Sequence, residues 1–286
     1  NPAHQLEHKE FFDLTYSDEP ASYYILSLEI DDNGVKAFWY HRNKNLVTGF
    51  AEYPFQKGSI KEAIQNLVQE HPFLRSDFEQ TIVSIRTENF ALIPNIIESS
   101  EDLDLFQVTN EFNGETDSLR SYSLINLKAR ILFSISKELE EAIYKAFIHV
   151  NIIPHVAPRI EFALNDLKSK IASELILAHI SSDRVDVLIF RNNKLALCNS
   201  FYQTSKEDLV YYTLYCAEIL EITPQKHHLV LSGDIAIGDE NWKVISSYWK
   251  KLKIASGLEN IDVSNQLNIT ENARFDYLTH SLLCAL

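Results

Sequence analysis

The sequence predicts an α/β protein built from two similar halves. Three observations carry this. Strand-like runs alternate with amphipathic stretches of helical period, and the order strand–strand–strand–helix–strand occurs twice. Each repeat also places a capping box before its helix, Ser59 with Glu62 and Thr204 with Glu207. With 45% apolar residues among 286, the chain has enough to bury a sizeable core. That length suits one large domain or two of roughly 140 residues each.

Taken in order, strands are expected at Tyr23 to Ile30, Val35 to Tyr40 and Leu46 to Tyr53. The first two join through Asp31-Asp32-Asn33-Gly34, whose closing Asn-Gly supplies the backbone freedom a tight hairpin needs. The helix after Ser59 carries Ile60, Ala63, Ile64, Leu67, Val68 and His71 on one face, and strands follow at Thr81 to Arg86 and Phe90 to Pro94. Leu124 to Ser136 reads as a strand. Ser136 then caps a helix with Leu139, Ala142, Ile143, Ala146 and Phe147 inward, ending near Val150. A short strand, Asn151 to Val156, leads to a helix with Pro158 in its first turn, running to about Ile171.

The second half starts with strands at Glu174 to Ile180, Val185 to Phe190 and Lys194 to Tyr202. The helix capped by Thr204 shows Leu209, Tyr212, Cys216, Ile219 and Leu220 as its apolar stripe. A buried strand, His228 to Leu231, precedes a helix with Trp242, Ile245, Trp249 and Leu252 on one face. The expected organisation is an N-terminal extension over 1–22, a first subdomain over 23–158 and a second over 159–286.

Charge narrows the function classes. The net charge of −14 opposes nucleic acid and anionic lipid, both of which need a positive protein field. Glu98, Glu101, Asp102, Asp104, Glu111, Glu115 and Asp117 fall in one stretch with no Lys or Arg between them. A solvated surface segment is the plainer reading, a docking surface for a basic partner the sharper one. No run reaches the roughly 20 apolar residues of a membrane-spanning helix, and Asn1 to Glu10 are too polar to read as a signal peptide. Cys198, Cys216 and Cys284 are sparse and odd in number, which suits a reducing compartment and a cytoplasmic location.

Several motifs are missing. The seven glycines form no G-x-G-x-x-G. Gly233 and Gly238 have P-loop spacing, but Asp239 and Glu240 stand where Lys and Ser/Thr belong, and acids there repel phosphate. His4-Gln5-Leu6-Glu7-His8 spells H-x-x-E-H, yet it lies in a terminal segment without a third ligand in sight, so no metal site is expected there.

The repeated order of elements resembles that of the actin, Hsp70 and sugar-kinase superfamily, which implies duplicated actin-like (ribonuclease H-like) subdomains with mixed sheets flanked by helices. From about Tyr23 to Leu252 the chain more closely resembles a family of uncharacterised bacterial proteins of that fold. The resemblance is carried by Ile131 to Leu164, Asp186 to Phe201 and Leu229 to Asp234. The first two stretches are also similar to the actin-fold scaffold of pilus assembly and to the cell-division protein of the same fold.

Active members of the superfamily clamp nucleotide phosphates with two hairpin turns of roughly D-x-G-x-x-x form. The resemblance lays the first on Leu28 to Ala37, with Glu29 at the Asp position, Asp31 at the Gly, and Asp32 and Asn33 replacing small hydroxyl residues before Gly34. The second receives His179 at the Asp position and Ser181 at the Gly, followed by Ser182, with Val185 where Thr is usual. The adenosine-contacting turn keeps Gly233 but has Asp234 in place of a second Gly. Val185 apart, these ten positions are the cofactor-binding candidates should nucleotide bind, and every departure weakens binding. A plainer reading makes Asp31 to Gly34 good hairpin residues only.

The expectation is therefore a non-catalytic actin-fold binding or scaffold protein, with no catalytic residue and no cofactor, and a protein or peptide as partner. The alternative is a divergent ATP-dependent kinase or ATPase using the interdomain cleft, with Glu29, Asp31 and Asp32 collecting Mg²⁺ and Asp234 near the ribose. A binder of some other small molecule is a third reading.

Overall fold

The structure, a computed structural model, describes residues 9–16, 18–55, 59–167, 174–181, 183–255, 257–267 and 272–285. The H-x-x-E-H motif and Ser182 lie outside the described residues. The chain divides into two compact units, one made of 1–158, 260–268 and 281–286, the other of 159–259 and 269–280.

The first unit is organised by a mixed sheet. Its strands are β1 (Lys9–Phe12), β2 (Tyr24–Asp31), β3 (Gly34–His41), β4 (Leu46–Pro54), β5 (Gln80–Ile85) and β9 (Val150–Pro154), in the order β1-β4-β3-β2-β5-β9. β2, β3 and β4 are antiparallel neighbours, while β5 runs parallel to β2 and β9 parallel to β5. Alternation does the sorting: Leu26, Leu28 and Ile30 point to one face, where they pack with Val35, Ala37, Val83 and Ile85. Helices α1 (Ile60–Glu70) and α3 (Lys137–Ala146) cover that face through Ile64, Leu67, Ala142, Ile143 and Ala146. Both helices start as the sequence predicts, with the Ser59 and Ser136 hydroxyls each accepting a backbone N–H at 3.2 Å.

A smaller layer is inserted in this unit. β6 (Phe90–Pro94), α2 (Asp102–Thr109), β7 (Asp117–Ser123) and β8 (Ala129–Ser136) form a sheet of order β6-β8-β7 with its own core of Ile93, Phe106 and Leu132. The acidic stretch runs through α2 into the start of β7, and one of its acids, Asp102, is gripped by the Arg130 guanidinium. That strand is a departure from the expected single strand over Leu124 to Ser136. β7 shows no run of apolar residues because its side chains are only half buried or exposed.

Helix α4 (Val156–Phe162), continued by a π-turn over Ala163–Leu167, leads into the second unit. There β10 (Glu174–Ile180), β11 (Arg184–Arg191), β12 (Lys194–Tyr202), β13 (His228–Gly233) and β14 (Lys251–Ile254) form a sheet of order β12-β11-β10-β13-β14. Its first three strands are antiparallel and its last two parallel, the same arrangement as β4-β3-β2-β5-β9. Helices α5 (Lys206–Ile219) and α6 (Glu240–Ser246) pack on one face, with Leu209, Val210, Cys216, Ala217, Ile245 and Trp249 in the core.

Local corrections follow from hydrogen bonding. The cap of α5 is Ser205 with Asp208, one residue beyond the expected Thr204 with Glu207. The helix expected to carry Leu252 stops at Ser246, and Leu252 lies in β14, paired with β13. The polypeptide after Asn260 is shared between the units: β15 (Asp262–Val263) pairs parallel with β4 in the first unit. Among the described residues no helix is long and apolar enough to cross a membrane.

Candidate functional site

The two hairpins singled out by the sequence stand at equivalent places, β2–β3 in one unit and β10–β11 in the other. In the first, Glu29 pairs in register with Lys36 on β3 and with Ser84 on β5, and Lys36 pairs with Glu52 on β4. Paired residues share a face, so Ser84, Glu29, Lys36 and Glu52 form a polar row across the sheet. Ser84 and Glu52 are buried, and the two middle residues are half-buried. In the second, His179 pairs with Asp186 and Ser232, and Asp186 pairs with Ser200. The row Ser232, His179, Asp186, Ser200 occupies the same strand positions as the first.

The second row is the more deeply buried. His179 is 1% exposed and Asp186 0%. The His179 Nδ1 and the Ser232 hydroxyl share a hydrogen bond of 2.9 Å. Ser200 Oγ donates to Asp186 at 2.7 Å, and Arg159, itself buried, brings its Nε to 3.5 Å from the same carboxylate. A buried charge is tolerated when it is paired and hydrogen-bonded. Burial of its sulfur, and then the Asp186 carboxylate, push the thiol of half-buried Cys198 above its ordinary range, away from the thiolate form.

The turns themselves are closed by their own groups. Asp31 Oδ1 accepts the backbone N–H of Asn33 at 2.7 Å and of Gly34 at 3.1 Å. Burial raises the Asp31 carboxyl above its usual range and Glu29 pushes the same way. The Asn33 N–H, Arg86 and Lys36 pull against them. Asp32 and Asn33 are exposed. In the second turn, buried Ser181 donates its N–H at 2.9 Å and its hydroxyl at 3.3 Å to the Arg184 carbonyl. Arg184 is buried too, with its guanidinium 3.6 Å over the Tyr202 ring.

Both candidate glycines answer to strand packing. A Cβ on Gly34 would lie 2.3 Å from the Tyr53 carbonyl oxygen on β4. One on Gly233, whose φ is +86°, would lie 2.0 Å from the Ile180 carbonyl oxygen. The next residue, half-buried Asp234, donates its N–H to that same Ile180 oxygen at 2.8 Å. Among the described residues no group of three or more His, Cys, Asp or Glu side chains is placed to hold a metal ion.

The structure thus brings Glu29 together with Lys36, Glu52 and Ser84, and His179 with Ser232 and Asp186. The sequence reading missed Lys36, Glu52, Arg159, Asp186, Ser200 and Ser232. One signal was there: Asp186 interrupts an otherwise apolar strand from Val185 to Phe190, and an acid in such a place needs partners.

Two equivalent sheets, each with three antiparallel strands followed by two parallel ones, define an actin-like fold, and solved structures agree. A protein of unknown function from Bacteroides thetaiotaomicron VPI-5482 with an actin-like ATPase fold matches with a TM-score of 0.73 and 21% identity, over 88% of this chain and 95% of that one. A chain of the PilM-PilN type IV pilus biogenesis complex matches with a TM-score of 0.59 and 12% identity, over 93% and 98% of the two chains. At these identities the likeness establishes the fold. The chain belongs to the family described as "Protein of unknown function (DUF3822)", whose model matches residues 13–252. No curated protein matches it.

Proposed function

We propose that this chain is a non-catalytic actin-fold protein that holds a protein or peptide segment and does not turn over nucleotide. The observation that carries this is how the two turns use their own donors. A phosphate-binding turn offers backbone N–H groups to the ligand, but here Asp31 takes those of Asn33 and Gly34, and Ser181 spends its N–H and hydroxyl on Arg184. At the position of the second carboxylate, His179 is buried and bonded to Ser232. The residues present therefore do not fit a magnesium-bound triphosphate.

The match to a chain of the PilM-PilN complex supports a protein partner, since it sets an actin-fold chain within an assembly. The sparse, odd set of Cys198, Cys216 and Cys284 accords with a cytoplasmic location, which is part of the proposal.

Isothermal titration calorimetry with Mg-ATP tests the reading. The expected dissociation constant is on the order of 1 mM or weaker, near −4 kcal/mol. A micromolar constant overturns it and makes Glu29, Asp31 and Asp234 the first residues to mutate.

A further inference from the structure

Helix α5 presents an aromatic and aliphatic stripe on its outer face. Its inner positions, Leu209, Val210, Thr213, Cys216 and Ala217, are buried in the second unit's core. At four-residue spacing on the outside stand Glu207, Tyr211, Tyr215 and Ile219, all exposed. Tyr211 is 60% exposed, Tyr215 45% and Ile219 53%. The two tyrosine rings stack on each other, 5.9 Å apart and 8° from parallel. Helix α1 differs, its exposed positions being Glu62, Gln65, Asn66, Gln69 and Glu70.

Charge identifies the occupant. Exposed Glu207 and Glu218 flank the aromatic stripe, exposed Glu221 follows the helix, and the negative end of the helix dipole lies beside the last two. The one base of α5, Lys206, is paired with Glu240. Self-pairing of α5 between two copies sets like charges together, Glu207 against Glu218 if antiparallel and against itself if parallel. An anionic membrane meets the same repulsion. Arginine and lysine side chains, in contrast, find tyrosine faces to lie over and carboxylates to pair with.

We propose that the Tyr211–Tyr215–Ile219 face of α5 is a docking surface for a cationic amphipathic segment of a partner protein. From Glu207 to Ile219 the stripe is about 18 Å long, which a helix of about 12 residues spans. The inference rests on the reading of this chain as a partner-binding protein, and none of its residues belongs to the two turns. A micromolar Mg-ATP constant would sink the non-catalytic half of that reading, whereas this surface stands or falls on peptide binding.

The test uses the full chain and a fluorescein-labelled 14-residue helical peptide with leucine and arginine along one face, followed by fluorescence anisotropy. Saturable binding is expected, weakened about ten-fold by Tyr211→Ala with Tyr215→Ala and also by Glu207→Gln with Glu218→Gln. All four residues are exposed, so these variants should unfold at the same denaturant concentration as the parent. The proposal is overturned by absence of saturable binding, by equal binding of a peptide with glutamate in place of arginine, or by a tyrosine variant that binds unchanged. It is also overturned if the chain is a dimer by light scattering and the tyrosine variant is a monomer, because the occupant is then a second copy.

Discussion

His179 and Asp186 face each other across β10 and β11, and this fixes what either position can hold. A histidine there shares a hydrogen bond with Ser232 and leaves Asp186 to Ser200 and Arg159. An aspartate at 179 would set a second buried carboxylate opposite the first. His179→Asp, the change that restores the superfamily's acid, is therefore expected to cost about 2–4 kcal/mol in urea unfolding rather than to create a phosphate site. Unchanged stability, or a gain in Mg-ATP affinity, would contradict this account. The same logic explains why the row was illegible in the sequence while the turn was not. Asp31 to Gly34 are neighbours whose chemistry dictates a hairpin. Ser232, Ser200 and Arg159 reach His179 and Asp186 only through strand register and helix placement. Gly233 shows the opposite case, a residue legible as special for which the structure supplies another reason, the Ile180 carbonyl.

Among elements, the helices with clean amphipathic faces begin at the residues the sequence names, and α5 begins one residue later. Thr204-Ser205 offers two hydroxyls in succession, and hydrogen bonding chooses between them. Ser205 Oγ accepts the Asp208 N–H at 3.3 Å, while the Asp208 carboxylate accepts the N–H groups of Thr204 and Ser205. Those two N–H groups, with the Thr204 hydroxyl, hold the Asp208 carboxyl below its usual range. Ser205→Ala is expected to lower stability by about 1 kcal/mol, seen as a shift of the urea midpoint at constant slope. A midpoint within error of the parent would return the cap to Thr204. The assignment of faces on α5 was also beyond the pattern. With Tyr, Val, Leu and Ile around most of its girth, periodicity alone placed Ile219 inside, and the structure places it outside. Strands β1 and β7 escaped for a related reason: each lies at the edge of its sheet with side chains largely half-buried, so neither carries the apolar run that marks a strand.

At the scale of the whole molecule, the repeated sheet order was legible because it is written in contiguous blocks, whereas the course of the last residues was not. Residues 281–286 belong to the first unit, more than two hundred residues from the strands they join. Ser281 shares a buried hydrogen bond of 2.7 Å with Ser27 on β2, and Leu282 is 3% exposed. The tail is thus part of that unit's packing. Leu282→Ala removes buried methyl groups and leaves a cavity, which should cost about 2–5 kcal/mol. The loss belongs to the unit that holds the side chain, so the readout has to be local. Hydrogen exchange followed by mass spectrometry should show the amides of β2 and β4 exchanging faster in the variant, with those of β10 and β13 changed less. Faster exchange confined to β10 and β13 would place the tail with the wrong unit. A variant that exchanges like the parent throughout would mean that Leu282 packs against nothing that matters to the fold.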